Sequence, residues 1–433
     1  MSRRSFSYAD LLERNARLFG ELPALWSRGE CVTHRELYAR ALALAGGLAA
    51  RGVQPGDRLV VLSENRREVM ELLGAAACLG ASLVPLNSRL AHDEAWHALE
   101  DAAPRMVFAS QQCAHSLDRL PIDIHLVLLD EKREGGGRYG ELLQPISEPR
   151  AIGDGAPLLV MYTAATQGRS RGAVLTHRGL LSTAAQMHGM WRLDPKDRTI
   201  GVLPLFHVAG LGLALAVQFG GGATFLEAQF DADRVVALAE DHGGSVLSCF
   251  PPMLDRILDR CEFRGTCLRH LRVVSGLESA DTIRRLRERA PHVMFWSAYG
   301  QSETSGPISL SPFDERPGSA GRPLPFCAVR TVNSAGQTVG PGVLGDILVR
   351  GPAVFSGYWP LREGWPDTVE GGWHGTGDLG WLDAEGYLWF GGRSETKDLV
   401  KTGGENVYPS EVEGVLKQHP ALADVAVLGI PDT

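Results

Sequence analysis

Strand-like and helix-like runs alternate along most of this chain, and that alternation leaves few folds open. Residues 35–51 are rich in Ala and Leu and stop at Gly52, as a helix does when glycine follows its last turn. Residues 58–62 form a short apolar run behind Pro55-Gly56-Asp57, the pattern of a strand leaving a turn. Residues 66–79 read as a helix closed by Gly80, and 82–85, 106–109 and 124–129 as strands. Further strands are expected at 158–162, 245–249, 271–275 and 293–297, with helices at 180–190, 234–241, 253–260 and 281–289. Strands joined through helices pair in parallel, so the expected class is α/β.

The texture changes near Pro317. Gly and Pro become dense and the apolar runs shorten to 328–332, 345–349 and 386–390, which predicts a small β subdomain of hairpins over 317–392. Behind Gly391-Gly392-Arg393 one more unit is expected. It has a strand at 398–401, a glycine loop at 402–406, a helix opened at Ser410 by a capping box with Glu413 and running to about residue 418, and a strand at 424–428. This unit of about 35 residues lies below the ~40 at which a chain segment usually folds alone. The expected organisation is therefore an N-terminal domain over 1–392, a hinge over 393–398, and the start of a truncated α+β C-terminal domain over 399–433.

Composition excludes several function classes. The chain has 433 residues, 44% of them hydrophobic and 22% charged, with a net charge of −8, so it carries core material for more than one unit and no excess of positive charge. That argues against a nucleic-acid partner. The seven cysteines form no CxxC pair, the reading expected of free thiols in the cytoplasm. The N-terminus lacks the apolar segment of a signal peptide. The longest apolar stretch, 208–219, is shorter than the ~20 residues a membrane helix needs, so no integral membrane segment is expected and the stretch reads as buried.

Four motifs carry chemistry. Thr163-Ala164-Ala165-Thr166-Gln167-Gly168-Arg169-Ser170-Arg171-Gly172 follows a strand, and its hydroxyls, glycines and guanidiniums suit a loop that wraps phosphate oxygens. Tyr299-Gly300-Gln301-Ser302-Glu303-Thr304 puts a carboxylate beside a hydroxyl at a strand's end, where it can offer a hard oxygen to Mg²⁺. In Thr376-Gly377-Asp378 the aspartate can accept two hydrogen bonds from a diol. Arg393, Lys397, Asp398 and Gly403-Gly404-Glu405-Asn406 join two folded units. Taken singly, each also fits an ordinary surface loop, turn or solvated linker.

Together and in this order, the four resemble the signature of the adenylate-forming superfamily, which contains acyl-CoA synthetases, luciferases and peptide-synthetase adenylation domains. The resemblance covers nearly the whole chain and includes Thr33-His34-Arg35-Glu36-Leu37, Val84-Pro85-Leu86-Asn87 and Gly403-Gly404-Glu405-Asn406-Val407-Tyr408-Pro409. It implies a large N-terminal domain of two doubly wound sheet subdomains plus the small β subdomain. It also implies a reaction in which a carboxylate attacks the α-phosphate of ATP, releasing pyrophosphate, and the CoA thiol then displaces AMP. Cofactors would be ATP, Mg²⁺ and CoA. By matching position, Thr163, Thr166, Gly168, Arg171 and Gly172 would hold the terminal phosphates. Ser302 would touch the α-phosphate and Glu303 would bind the metal. Gly276, Leu277 and Glu278 would line one side of the adenine pocket, and Ala298, Tyr299 and Gly300 the other. Asp378 and Arg393 would take the ribose, Asp398 or Lys397 would be the hinge, and Gly403 and Gly404 would line the CoA tunnel.

His207 matches the family's gate beside the acyl carboxylate. With no acidic neighbour there, the resemblance favours a fatty, alicyclic or aryl acid in an apolar pocket of Val208, Gly212, Cys249, Phe250, Pro252 and Gly306. Partners would be that small-molecule acid and, for the chain itself, a homodimer. The phosphate loop departs from the family's usual run at Ala164 and Gln167, and Arg171 stands where lysine is usual. Two other readings follow: a silent homologue that binds nucleotide or acyl-adenylate without turnover, and an adenylation module that loads a carrier protein.

Overall fold

The computed structural model describes residues 6–90, 92–117, 124–130, 137–144, 148–163, 170–361, 368–369, 371–393, 400–402, 405–407, 409–416, 419, 422 and 425–429. The chain opens with helix α1 (Tyr8–Leu18), the hairpin β1 (Pro23–Ser27) and β2 (Glu30–Thr33), and helix α2 (His34–Ala50). There follow β3 (Arg58–Leu62), α3 (Arg67–Leu79), β4 (Ser82–Leu86), α4 (His92–Ala102), β5 (Met106–Ala109), β6 (His125–Leu128), β7 (Gly137–Arg138), β8 (Pro157–Thr163) and β9 (Arg171–Thr176). Thr33 caps α2 and closes a capping box with Glu36. Gly80, at φ 74°, ends α3 in the left-handed conformation that glycine adopts without cost. Strands β3 to β9 form a seven-stranded sheet in the order β7-β6-β5-β3-β4-β8-β9, parallel except for the antiparallel β9.

The second sheet draws on both ends of the large domain. Its further elements are α5 (His177–Trp191), β10 (Arg198–Gly201), α6 (Val208–Phe219), β11 (Ala223–Leu226), α7 (Ala232–Asp241), β12 (Val246–Cys249), α8 (Met253–Arg264), β13 (Val273–Gly276), α9 (Ala280–Arg289), β14 (Met294–Gln301), β15 (Gly306–Pro312) and β16 (Arg322–Pro323). They join β1 and β2 in a nine-stranded sheet, order β16-β15-β14-β13-β12-β10-β11-β1-β2. The five strands β14 through β11 and their neighbour β1 run parallel, and antiparallel pairs close both edges.

Helices α1, α2, α3, α5 and α6 fill the space between the two sheets, where Leu37, Leu73, Leu159, Leu175, Leu211 and Leu215 share one core. Helix α4 covers the outer face of the first sheet, and α7, α8 and α9 cover that of the second. Because α6 and the part of α3 from Leu72 onward are enclosed on all sides, both are apolar nearly all round. Among the described residues, no helix is long and apolar enough to cross a membrane.

Past residue 323 the chain leaves the large sheet. Strands β17 (Ala328–Val332), β18 (Gly345–Arg350), β19 (Thr368–Val369), β20 (Trp373–Leu382) and β21 (Leu388–Arg393) pair antiparallel throughout. The closing unit differs from its expectation in three places. In the segment read as a loop at 402–406, the described residues instead belong to two paired antiparallel strands, β22 (Val400–Thr402) and β23 (Glu405–Val407), with Thr402 opposite Glu405. Helix α10 runs Pro409–Leu416, so Ser410 lies inside it and does not cap it; proline at the first helical position sets the start instead. Residues 425–428 carry no strand, and no partner strand lies beside them among the described residues.

Candidate active site

A cavity of about 880 Å³ opens at the C-terminal ends of β12, β13 and β14. In a sheet of parallel strands that is the expected place for a ligand, because the loops leaving successive strands part there. The cavity has three regions, each built by a different pair of elements.

Gly276, Leu277 and Glu278 form one wall of the first region, and Ala298, Tyr299 and Gly300 the other. Gly276 ends β13 at φ 153°, and a Cβ there would lie 1.9 Å from the Cys249 carbonyl oxygen, so the close approach of β12 and β13 admits only glycine. Glu278 is half-buried; burial first, and the Asp255 carboxylate second, push its carboxyl up to about 7. The Tyr299 hydroxyl donates to Asp378 Oδ2 at 2.5 Å. Burial, then the Asp378 charge, holds that phenol well above its usual range. Asp378 faces Arg393 across β20 and β21, and their charges meet at 2.6 Å. Arg393 Nε and Glu278 Oε1 are left buried without hydrogen-bond partners. Such atoms are costly unless a ligand meets them. A ribose diol and an adenine amine have the matching chemistry, so these residues fit a nucleoside.

The second region is polar. Thr163 and Arg171 face each other at the ends of β8 and β9, where the Thr163 hydroxyl donates to the Arg171 carbonyl at 3.4 Å. Arg171 Cζ sits 3.5 Å from the centre of the Tyr358 ring, and the Tyr358 hydroxyl donates to Glu303 Oε1 at 2.6 Å. One tyrosine thus ties the cation to the carboxylate. Glu303 is buried at 6% exposure in the turn that follows β14, beside Ser302. Among the described residues no cluster of three or more His, Cys, Asp or Glu could hold a metal alone. A lone carboxylate with one free oxygen, open to a phosphate-sized space, fits Mg²⁺ that takes its other ligands from phosphate and water.

The third region is apolar. Val208 and Gly212 of α6, Met187 and Trp191 of α5, Phe250 and Gly306 line it. His207 stands at its mouth as the N-cap of α6: Ala209 N–H donates to Nδ1 at 3.1 Å, which leaves the proton on Nε2.

The structure therefore gathers Thr163, Arg171, His207, Gly276, Leu277, Glu278, Ala298, Tyr299, Gly300, Ser302, Glu303, Asp378 and Arg393 on one cavity wall. Gly172 is not on that wall. Its Cβ would lie 2.5 Å from Val160 and 3.3 Å from the Tyr162 ring, so packing within the β8–β9 hairpin accounts for the glycine. Cys249 is fully buried in the core under α7 and α8, and the cavity is lined by Pro251 in place of Pro252. Thr166, Gly168, Lys397, Asp398, Gly403 and Gly404 lie outside the described residues. No motif marks Tyr358, which sits alone in a Gly/Pro-rich stretch. Nor did it mark Met187 and Trp191, which recur at i, i+4 in a helix and read as ordinary core.

The profile of the AMP-binding enzyme family matches residues 12–359. The indoleacetate–CoA ligase of Aromatoleum aromaticum is 34% identical over 97% of this chain and 84% of its own length. The 2-succinylbenzoate–CoA ligase of Bacillus cereus is 30% identical over 97% of this chain and 85% of its own. Among solved structures, the o-succinylbenzoate CoA synthetase of Bacillus subtilis with a product analogue superposes at a TM-score of 0.85, with 29% identity over 98% of this chain and 86% of that one. The anthranilate CoA ligase AuaEII with anthranoyl-AMP superposes at 0.84, with 26% identity over 99% of this chain and 85% of that one. The chain belongs to the AMP-binding enzyme family, the adenylate-forming superfamily, and within it to the CoA ligase type.

Proposed function

We propose that this protein is an ATP-dependent carboxylic acid–CoA ligase whose acid is aromatic or alicyclic. The observation that carries the reading is one continuous cavity with a cation and a carboxylate at one end, orphaned polar atoms at a second, and an apolar chamber at the third. Relatives named for indoleacetate, ferulate and 2-succinylbenzoate support the aromatic class.

In this reading His207 stands where the acid's carboxylate meets the nucleotide, and the apolar chamber takes the rest of the acid. The carboxylate displaces pyrophosphate from the α-phosphate. Negative charge gathers there, so the donors and cations must be in place beforehand. Arg171, held by the Tyr358 ring, supplies the positive charge for the outgoing phosphates, and Ser302 donates toward the α-phosphate. Asp378, Arg393 and Tyr299 fix the ribose. Glu303 would hold Mg²⁺, which when bound neutralises phosphate charge. A thiol then attacks the acyl carbon and AMP leaves. We place the protein in the cytosol, where its seven thiols stay reduced. We also expect a homodimer, which sedimentation would detect.

Acid-dependent exchange of labelled pyrophosphate into ATP tests the first half-reaction. Exchange with an aromatic acid, and thioester formation with CoA, is the expected result. Binding of an acyl-adenylate analogue without exchange would replace the ligase by a silent nucleotide-binding homologue. Transfer to a pantetheine-bearing carrier protein but not to CoA would replace it by a carrier-loading module.

A further inference from the structure

The apolar chamber has a polar floor that an unsubstituted hydrocarbon would leave unpaired. Ser248 of β12 and Ser275 of β13 are register partners in adjacent parallel strands, so their side chains share one sheet face. Ser275 is in turn opposite Trp296 of β14, and Val246, Val273 and Trp296 on that face pack toward α5 and α6. The two serines therefore face the chamber, and both line the cavity. No protein group among the described residues bonds to either hydroxyl. Across from them stand Met187, Val208, Leu213 and Trp191. Trp191 is 3% exposed, and its indole N–H has no acceptor. Nothing within 4 Å would meet a Cβ on Gly212, so the space between floor and roof is open.

Ser275 is buried and Ser248 half-buried, and both open onto the cavity, so once an acyl group displaces water from the chamber each hydroxyl costs free energy unless that group bonds it. Both serines can donate, and Ser248, Ser275, Met187, Trp191, Val208 and Leu213 carry no charge. An ammonium would find no counter-ion among these six, whereas a neutral oxygen can accept from either serine. We propose that the acid this site takes bears a neutral oxygen substituent, hydroxyl, ether or ketone, on the part that reaches the chamber floor, where Ser248 and Ser275 hydrogen-bond it. The proposal rests on the ligase reading and narrows its substrate class.

Non-hydrolysable acyl-adenylate analogues of phenylpropanoic acid and of its three ring-hydroxylated isomers test it, with Kd measured by calorimetry on the full chain. At least one hydroxylated isomer is expected to bind about tenfold tighter than the parent, the value of one well-made hydrogen bond that also relieves a buried donor. Ser248→Ala and Ser275→Ala should each shrink that ratio to about threefold or less. Ser248→Thr, which keeps the hydroxyl, should retain it. A merely structural serine would weaken all analogues alike and leave the ratio in place. Equal or tighter binding of the parent, or an unchanged ratio in the double alanine variant, overturns the proposal while the ligase reading stands. Failure of every analogue to bind a folded sample overturns the ligase reading, and this proposal with it.

Discussion

Tyr358 does two tasks with one side chain: its hydroxyl bonds Glu303 and its ring carries Arg171. Removing only the hydroxyl separates them. Tyr358→Phe should cost about 1 kcal/mol of stability, the usual net worth of a hydrogen bond, by denaturant unfolding. Glu303 then loses the donor that fixes its orientation, so the Mg²⁺ concentration for half-maximal pyrophosphate exchange should rise several-fold, while the ring still holds Arg171. An unchanged Mg²⁺ dependence would show that Tyr358 only packs. At this scale the sequence was legible where a residue sits in a motif. Glu303 and Asp378 each follow a strand or glycine turn with a distinctive neighbourhood, and both reached the cavity wall. Tyr358 was not legible, because it meets Glu303 only through a fold that brings residues 55 apart in sequence into contact.

Helix α6 shows the same contrast one level up. An all-apolar run has no period to read, so its burial was evident from the sequence and its helical form was not. The structure supplies the reason for its composition: it lies between two sheets and also roofs the chamber. Its two glycines have opposite surroundings. A Cβ on Gly210 would fall 2.3 Å from the Pro204 carbonyl oxygen and 2.6 Å from that of Leu203, whereas Gly212 faces open space. Gly210→Ala must therefore move backbone and should destabilise by about 1–3 kcal/mol. Gly212→Ala should stabilise by up to ~1 kcal/mol through helix propensity, and Gly212→Leu should exclude bulky acyl groups. Denaturant unfolding and analogue binding read both effects. Equal destabilisation by the two alanines would contradict the assigned packing. The parallel strands were legible for a related reason: each is a short run bounded by turn residues. The pairing of β22 with β23 and the helix start at Pro409 were not, since a glycine-rich run reads as a loop whatever flanks it, and a capping-box pattern at Ser410 competes with a proline one residue earlier.

Across the whole molecule, two groups shifted by burial should pull stability in opposite directions over one pH window. His177 begins α5 with no exposure, and Tyr8 N–H of α1 donates to its Nδ1 at 3.1 Å, so the fold requires the neutral ring. Burial pushes it down to about 4. The unfolded chain binds the proton first, so His177 leaves stability intact above about pH 6.5 and removes it as pH falls toward 4, by on the order of 3 kcal/mol. Glu278 has the reverse sign. Its carboxyl, raised to about 7, holds a proton in the native state that the unfolded chain has already released, so it destabilises as pH rises from about 4.5 to 7. Glu278 is only half-buried, and solvent screening makes its contribution the smaller of the two. Net stability should therefore fall between pH 6.5 and 5. His177→Gln should flatten that slope, and Glu278→Gln, which removes the opposing term, should steepen it. Melting temperatures measured across this range on the two variants and the parent decide the matter. A steeper slope in His177→Gln, or a flatter one in Glu278→Gln, would mean that the neutral imidazole between α1 and α5, or the protonated carboxyl in the cavity, is not the state the fold selects.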